Sequence, residues 1–333
     1  MNTLYVLLDG AEDHNIPAFG GKKPLDVANM PFFRSACKQK GYTSGREYTH
    51  LFLNEFFTGE PPSASRAAIE ALGLGMNMDG ERTAYRMSPA RINDGRIEWI
   101  YDLEEISEII KRTATDKMCI LKEMDPEVKF FLSGRAIITM RCDDIPDLPA
   151  PPNPAEFVEV PGRLGDFVMS MAEELDGITL YPWGCGRSSG TGAPFIKNMT
   201  AISNTPTALG ISKSLGYDIR YVRDIEERFR TARNELEHGD VFLHLDEIDE
   251  YSHQKDPPKK VRVLEYMDGM FSKYFLNDDR IVFFIDHGTS SVTGEHILME
   301  VPFWTSFDSG IDNKHIPLDM VIPSITGMIH DQK

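Results

Sequence analysis

Three apolar runs, far apart along the chain, each end on an acidic residue, and this pattern restricts the possible folds more than any other feature. They are Leu4 to Leu8 before Asp9, Val241 to Leu245 before Asp246, and Ile281 to Ile285 before Asp286. Each has the length of a strand, and their largely apolar make-up suits strands covered on both faces. Between them, apolar residues recur at helical spacing in Pro31 to Lys40, His50 to Phe57, Thr207 to Leu215 and Lys259 to Phe275. Strands alternating with amphipathic helices predict an α/β fold with a mainly parallel sheet flanked by helices. Ligands of such sheets bind beyond the carboxyl ends of the strands, where Asp9 and Asp286 stand.

The middle of the chain follows another pattern. Arg86 to Trp99 reads as a hairpin turning at Asn93-Asp94-Gly95, Glu104 to Arg112 as a helix, and Val128 to Arg141 as further strand. A proline-rich connector, IPDLPAPPNPAEF, follows. At 333 residues the chain is long for one core. The order of elements predicts a smaller α/β cap, residues 79–179 with the connector, inserted into a core formed by 1–78 and 180–333.

A formal net charge of −17 argues against nucleic acid or an anionic membrane as partner. It also means that phosphate can bind only where metal ions and a few arginines reverse the sign locally. No apolar run approaches the length of a membrane-spanning helix, and the opening MNTLYVLLDG lacks the basic start of a signal peptide. Cys37, Cys119, Cys142 and Cys185 form no CxxC pair, which disfavours a disulfide framework or a cysteine zinc site and makes the cytoplasm the expected compartment.

The chemistry gathers in three segments: LLDG with Asp9, DEIDEYSH with Asp249 and His253, and IDHGTSSVTGEH with Asp286, His287 and His296. Taken alone, each has an ordinary reading as a turn, a helix-surface pair or a loop histidine. Together at strand ends they form a set of ligands whose mix of carboxylate and imidazole suits Mn²⁺ or Zn²⁺, with Mg²⁺ less favoured. Two such ions side by side can stabilise both the attacking and the leaving oxygen of an in-line phosphoryl displacement. His14, His238, His244, His315 and His330 read as structural or exposed.

Thr49 is the candidate nucleophile. As the cap of a helix beginning near His50 it would sit where backbone N–H groups and the helix dipole favour a phosphoryl anion, and an adjacent ion would lower its hydroxyl pKa. Ser63 and Ser65 are the alternatives. Arg46, Arg66, Arg86 and Arg135 are candidate clamps for substrate oxygens.

The ordered set resembles the alkaline phosphatase superfamily and, within it, the archaeal-type cofactor-independent phosphoglycerate mutases. LLDGAEDHN and FGGKKPLDVANMPFFRSACKQKG are similar to that family's opening. RAAIEALGLGMNM, AYRMSPARINDGRI and TAISNTPTALGISKSLGYD resemble later segments, and DEIDEYSHQKDP with IDHGTSSVTGEHILMEVPFW resembles its two closing metal motifs. The resemblance implies an alkaline-phosphatase-like core with a cap, two divalent ions and no 2,3-bisphosphoglycerate, and a small phosphorylated substrate. Asp249, His253 and His296 would hold one ion, and Asp9, Asp286, His287 and the nucleophile the other. Asp13 matches an acidic position shortly after the Asp-Gly, either behind the metal ligands or on the substrate side, and Arg86 and Arg135 fall in the cap, where the family holds the organic part of its substrate.

The family's serine segment is missing. REYTHLFLNEFFTGEPPSASR stands there instead, with Thr49 nine residues before the T-G-E-P-P that begins at Thr58. That spacing resembles the phosphodiesterase and sulfatase branches of the superfamily. The implied reaction is phosphoryl transfer through a phosphothreonyl enzyme, first of all interconversion of 3-phosphoglycerate and 2-phosphoglycerate, a glycolytic step. The alternatives are a metal-dependent phosphatase, phosphodiesterase or other phosphotransferase, and a non-catalytic metal-binding homologue.

Overall fold

The computed structural model describes residues 1–61, 64–100, 106–131, 134–142, 145–146, 148, 155–188 and 192–328. The chain divides into two compact units, Met1–Pro62 with Thr191–Lys333, and Ser63–Gly190. The division drawn from sequence, at 78/79 and 179/180, differs from these bounds. Helix Arg66–Gly73 goes with the second unit because Ala67, Ala68 and Ala71 pack on Ala84 and Ile137 of the second sheet.

The first unit is built on a seven-stranded sheet in the order Asp218–Tyr221, Met199–Ser203, Asp240–Leu245, Thr3–Leu8, Arg280–Phe284, Glu300–Thr305, Gln39–Ser44. The first five strands run parallel, and Glu300–Thr305 alone is reversed, antiparallel to both of its neighbours, so the expected α/β fold with a mainly parallel sheet is what the chain forms. Every side chain of the central strand Thr3–Leu8 is buried, as its largely apolar make-up requires. Its register pairs Leu8 with Leu245 and Leu7 with Phe284. The three carboxyl ends are therefore level, and Asp9, Asp246 and Asp286 emerge side by side.

Helices Thr49–Thr58, Pro206–Ser214 and Pro257–Tyr274 form where the apolar spacing places them. Phe56 of the first stacks on Phe284 with ring centroids 4.3 Å apart, and Phe57 meets Phe242 edge-on at 5.4 Å. Phe52, one turn into the helix, also stacks on Phe284 at 6.1 Å, so the helix is packed on the sheet along its length. The Pro31 to Lys40 run is helical only over Pro31–Ala36. Gln39–Ser44 instead pairs with Glu300–Thr305 as the edge of the sheet, a long-range demand that local spacing does not reveal.

The second unit carries a six-stranded antiparallel sheet around the long strand Arg82–Asn93. The hairpin is present, Asn93 facing Arg96 across Asp94 (φ 48°) and Gly95 (φ 73°), the left-handed pair that a tight hairpin needs. Val128 to Arg141 resolves into two paired strands, Glu127–Phe131 and Arg135–Arg141. The expected helix runs Ser107–Lys117. Its upstream residues 101–105, most of the proline-rich connector, and His330 lie outside the described residues. No described helix is long and apolar enough to cross a membrane, and all four cysteines are free.

Candidate metal centre

Asp9 and Asp286 divide their oxygens in the same way. Asp286 Oδ1 accepts from the backbone N–H of Gly10 (3.2 Å) and of His287 (3.0 Å), and Asp9 Oδ2 lies 2.7 Å from His244 Nε2. Each carboxylate is left with one buried oxygen, Asp9 Oδ1 and Asp286 Oδ2, that has no hydrogen-bond partner among the described residues. His287 Nε2 is in the same condition and stands 3.4 Å from Asp9 Oδ1 and 3.3 Å from Asp286 Oδ2. Three unsatisfied donor atoms converging at ligand spacing, on residues no more than 6% exposed, fit a cation. Burial, and then the neighbouring carboxylates of Asp286 and Asp249, drive the Asp9 carboxyl well above the usual carboxylate range. A proton or a positive ion is what such a site asks for.

A second cluster adjoins the first. His253 Nε2 is 3.0 Å from Asp249 Oδ2, His296 Nε2 is 3.7 Å from Asp249 Oδ1, and the two Nε2 atoms are 3.3 Å apart. Both rings donate from the other nitrogen to a backbone oxygen, His253 Nδ1 to Gly294 (2.7 Å) and His296 Nδ1 to Glu47 (2.8 Å). In the neutral rings the two Nε2 lone pairs therefore face each other, an arrangement that a shared cation or proton relieves. The same crowding shows in the titration. Burial would lower the His253 pKa, but the bond to Asp249 and its charge lift it to about 9, and His296 is raised in the same way. Burial would raise Asp249, but hydrogen bonds from His253 and His296 hold it well below its ordinary value. His287 stands within ligand reach of both clusters, grouping with Asp249 and His296 as well as with Asp9 and Asp286.

Thr49 is the first residue of its helix, and the expectation that it caps the helix is corrected. Tyr48, with extended backbone (φ −134°, ψ 141°), holds the capping position. The Thr49 hydroxyl is thereby left to approach Asp9 Oδ2, at 3.5 Å. Of the alternatives, Ser65 caps helix Arg66–Gly73 with its hydroxyl, accepting from Ala68 N at 3.2 Å, and Ser63 lies outside the described residues.

The expected substrate contacts fare differently. Asp13 is 1% exposed and accepts from Ser291 N (3.0 Å), Ser291 Oγ (2.7 Å) and Lys260 Nζ (3.3 Å), so it ties together the loops that carry the ligands. Arg46 is forked onto Glu55 at 2.8 and 2.6 Å. That bidentate pair braces the turn before the helix. In the second unit, Arg66 and Arg86 both bind Glu70, at 3.0 and 2.7 Å, and the charge of Arg135 is felt at Arg86. The three arginines do come together, with a single carboxylate between two of them.

Sequence reasoning missed three residues. His244, read as structural or exposed, is buried and holds Asp9. Its Nδ1 meets Ser203 Oγ at 2.8 Å, which fixes the ring. Lys260 is buried under helix Pro257–Tyr274 and donates to Gly10 O, Glu12 O and Thr289 O at 2.9, 3.1 and 2.7 Å. Thr289 donates to Asp249 Oδ1 at 2.5 Å. None belongs to a spaced pair in sequence; the H-x-D of His244 and Asp246 at a strand end was the one available hint.

Residues 188–317 match the family described as the metalloenzyme superfamily. The chain is 25% identical to a 2,3-bisphosphoglycerate-independent phosphoglycerate mutase of Pyrococcus furiosus, over 89% of this chain and 86% of that one. It is 24% identical to the enzyme of the same name from Picrophilus torridus, over 92% and 88%. Among solved structures, a protein from Pyrococcus horikoshii matches with a TM-score of 0.71 and 18% identity over 100% of this chain and 98% of that one. A cofactor-independent phosphoglycerate mutase from Thermoplasma acidophilum matches with a TM-score of 0.54 and 16% identity over 94% and 91%. Both structures share the fold.

Proposed function

We propose that this chain, a divergent relative of the cofactor-independent phosphoglycerate mutases with a metalloenzyme-superfamily domain, transfers a phosphoryl group through Thr49 at a two-ion centre and interconverts 3-phosphoglycerate and 2-phosphoglycerate. One observation carries the reading: the unpartnered atoms Asp9 Oδ1, Asp286 Oδ2 and His287 Nε2 converge where the Thr49 hydroxyl approaches Asp9. Asp249, His253 and His296 would hold one ion, and Asp9, Asp286, His287 and Thr49 the other, with Mn²⁺ or Zn²⁺ best suited to that mix. When bound, the ions supply the positive charge that a chain of −17 lacks, and make the hydroxyl more acidic.

The chain's own groups supply the rest. Helix Thr49–Thr58 holds Thr49 at its first position, so that free backbone N–H groups and the helix dipole face the incoming anion. Thr49 Oγ1 forms the bond to phosphorus as the bond from phosphorus to the glycerate oxygen breaks. Asp9 Oδ2 is the nearest acceptor for the hydroxyl proton, and the departing glycerate oxygen gains one, so no net proton is consumed. His244 keeps that carboxylate turned. Return of the phosphoryl group to the other hydroxyl of the same glycerate completes a mutase cycle; transfer to water would make the same site a phosphatase.

The test is an assay of purified protein with 3-phosphoglycerate and added Mn²⁺, Zn²⁺ or Mg²⁺, following 2-phosphoglycerate and free phosphate separately. Formation of 2-phosphoglycerate, with Thr49→Ala slower by about 10³-fold or more, is the expected result. Phosphate release alone would favour the hydrolase, and unchanged turnover in the variant would remove Thr49 from the mechanism.

A further inference from the structure

We propose that the Thr289 hydroxyl is a positioning group that couples the two ion sites, an inference that rests on the two-ion reading of the centre. Thr289 is fully buried, with Oγ1 2.5 Å from Asp249 Oδ1 and 3.2 Å from His287 Nδ1. Asp249 belongs to one cluster, and His287 is the residue within reach of both. The main chain of Thr289 is pinned at either end. Its N–H donates to Glu12 O at 3.0 Å, and its carbonyl accepts from Lys260 Nζ at 2.7 Å. Gly10 closes the remaining side. Its φ is +61°, and a Cβ there would lie 2.5 Å from Asp249 Oδ1 and 2.6 Å from Thr289 Oγ1. All three ligand-bearing segments thus meet at one hydroxyl.

The hydrogens can run in one direction only. A hydroxyl has a single proton, and the Asp249 carboxylate can only accept, so the Thr289 O–H points at Asp249 and its oxygen accepts from His287 Nδ1–H. Gly288 O, 3.2 Å from the same nitrogen, is also an acceptor and requires the same tautomer. Nδ1 carries the hydrogen, and the His287 Nε2 lone pair faces Asp9 and Asp286. Engaging Nε2 makes Nδ1–H a stronger donor, which in turn strengthens the O–H bond to Asp249. The hydroxyl therefore transmits occupancy of one cluster to a ligand of the other, and its loss should be felt at both.

The test compares chelator-stripped wild type, Thr289→Val (same shape, no hydroxyl) and Thr289→Ser (hydroxyl kept). Mn²⁺ is titrated by calorimetry, with paramagnetic resonance to count bound ions, and metal-free stability is measured by urea unfolding. Wild type and Thr289→Ser should bind two ions alike, while Thr289→Val weakens both affinities at least about tenfold. Thr289→Ala, which leaves space rather than filling it, is read the same way if valine prevents folding. Weakening of one affinity only, or of neither, overturns the proposal, and so does a Thr289→Ser that behaves like Thr289→Val. Fewer than two ions on the wild type would instead overturn the two-ion reading itself, so the two failures are distinguishable.

Discussion

Which oxygen of Asp9 is available to a ligand is decided by His244, because the ring occupies Oδ2 at 2.7 Å and leaves Oδ1 unpartnered. Replacing His244 with Phe keeps a planar ring but removes the donor, so Asp9 can rotate. Burial holds the His244 pKa below its ordinary value, so the wild-type ring is neutral and acts as an oriented dipole rather than as a charge. Mn²⁺ affinity should fall about 10- to 100-fold in the variant, measured by calorimetry; an unchanged affinity would mean that His244 only fills space. At this scale the sequence was legible where residues come as spaced sets. Asp9, Asp249, His253, Asp286, His287 and His296 could be picked out because several ligand types recur together at strand ends. His244, Lys260 and Thr289 are single residues that act through partners about 30 to 250 positions away, as with Lys260 and Gly10, and no local pattern encodes that.

Two elements are held by buried charges that propensity does not foresee. Lys260 fastens helix Pro257–Tyr274 to the loops carrying Gly10 and Thr289. Lys260→Met leaves the Asp13 carboxylate buried without its cation, and urea unfolding should show a loss of about 3–5 kcal/mol. A loss below about 1 kcal/mol would mean that the ammonium is dispensable. In the second unit, Glu70 joins helix Arg66–Gly73 to strand Arg82–Asn93. Burial would raise its carboxyl, but Arg86 and then Arg66 bring it down from 4.5 to about 2. A depressed folded pKa contributes stability that is complete above the ordinary value and is lost as pH falls from 4.5 toward about 2. The contribution is on the order of 3 kcal/mol. The urea midpoint should fall more steeply across that window in wild type than in Glu70→Gln, which is less stable at neutral pH; parallel curves would count against the ion pair. The elements themselves were mostly legible, the Asp94-Gly95 hairpin most clearly, because its turn chemistry is local. Strand Gln39–Ser44 was hidden in a helix-like run because its reason for being a strand is the distant Glu300–Thr305.

Across the whole molecule, acid outnumbers base by 17 charges, and part of that excess is concentrated where three strand ends lie level. Ions bound only to the folded chain should stabilise it by about 4 kcal/mol at a thousand times their dissociation constant. Excess chelator should therefore lower the melting temperature, and readdition of Mn²⁺ restore it. The two clusters differ in access: the side chains of Asp9, Asp286 and His287 are at most 8% exposed, whereas those of His253 and His296 are 41% and 25% exposed. On the two-ion reading, exchange at the less exposed position should be the slower. Stopped-flow chelation should give a fast phase and a slow one of equal amplitude, and a single phase would argue for equivalent access. A chain stripped in this order passes through a long-lived, singly loaded form, so a brief shortage of metal would idle the enzyme without emptying it.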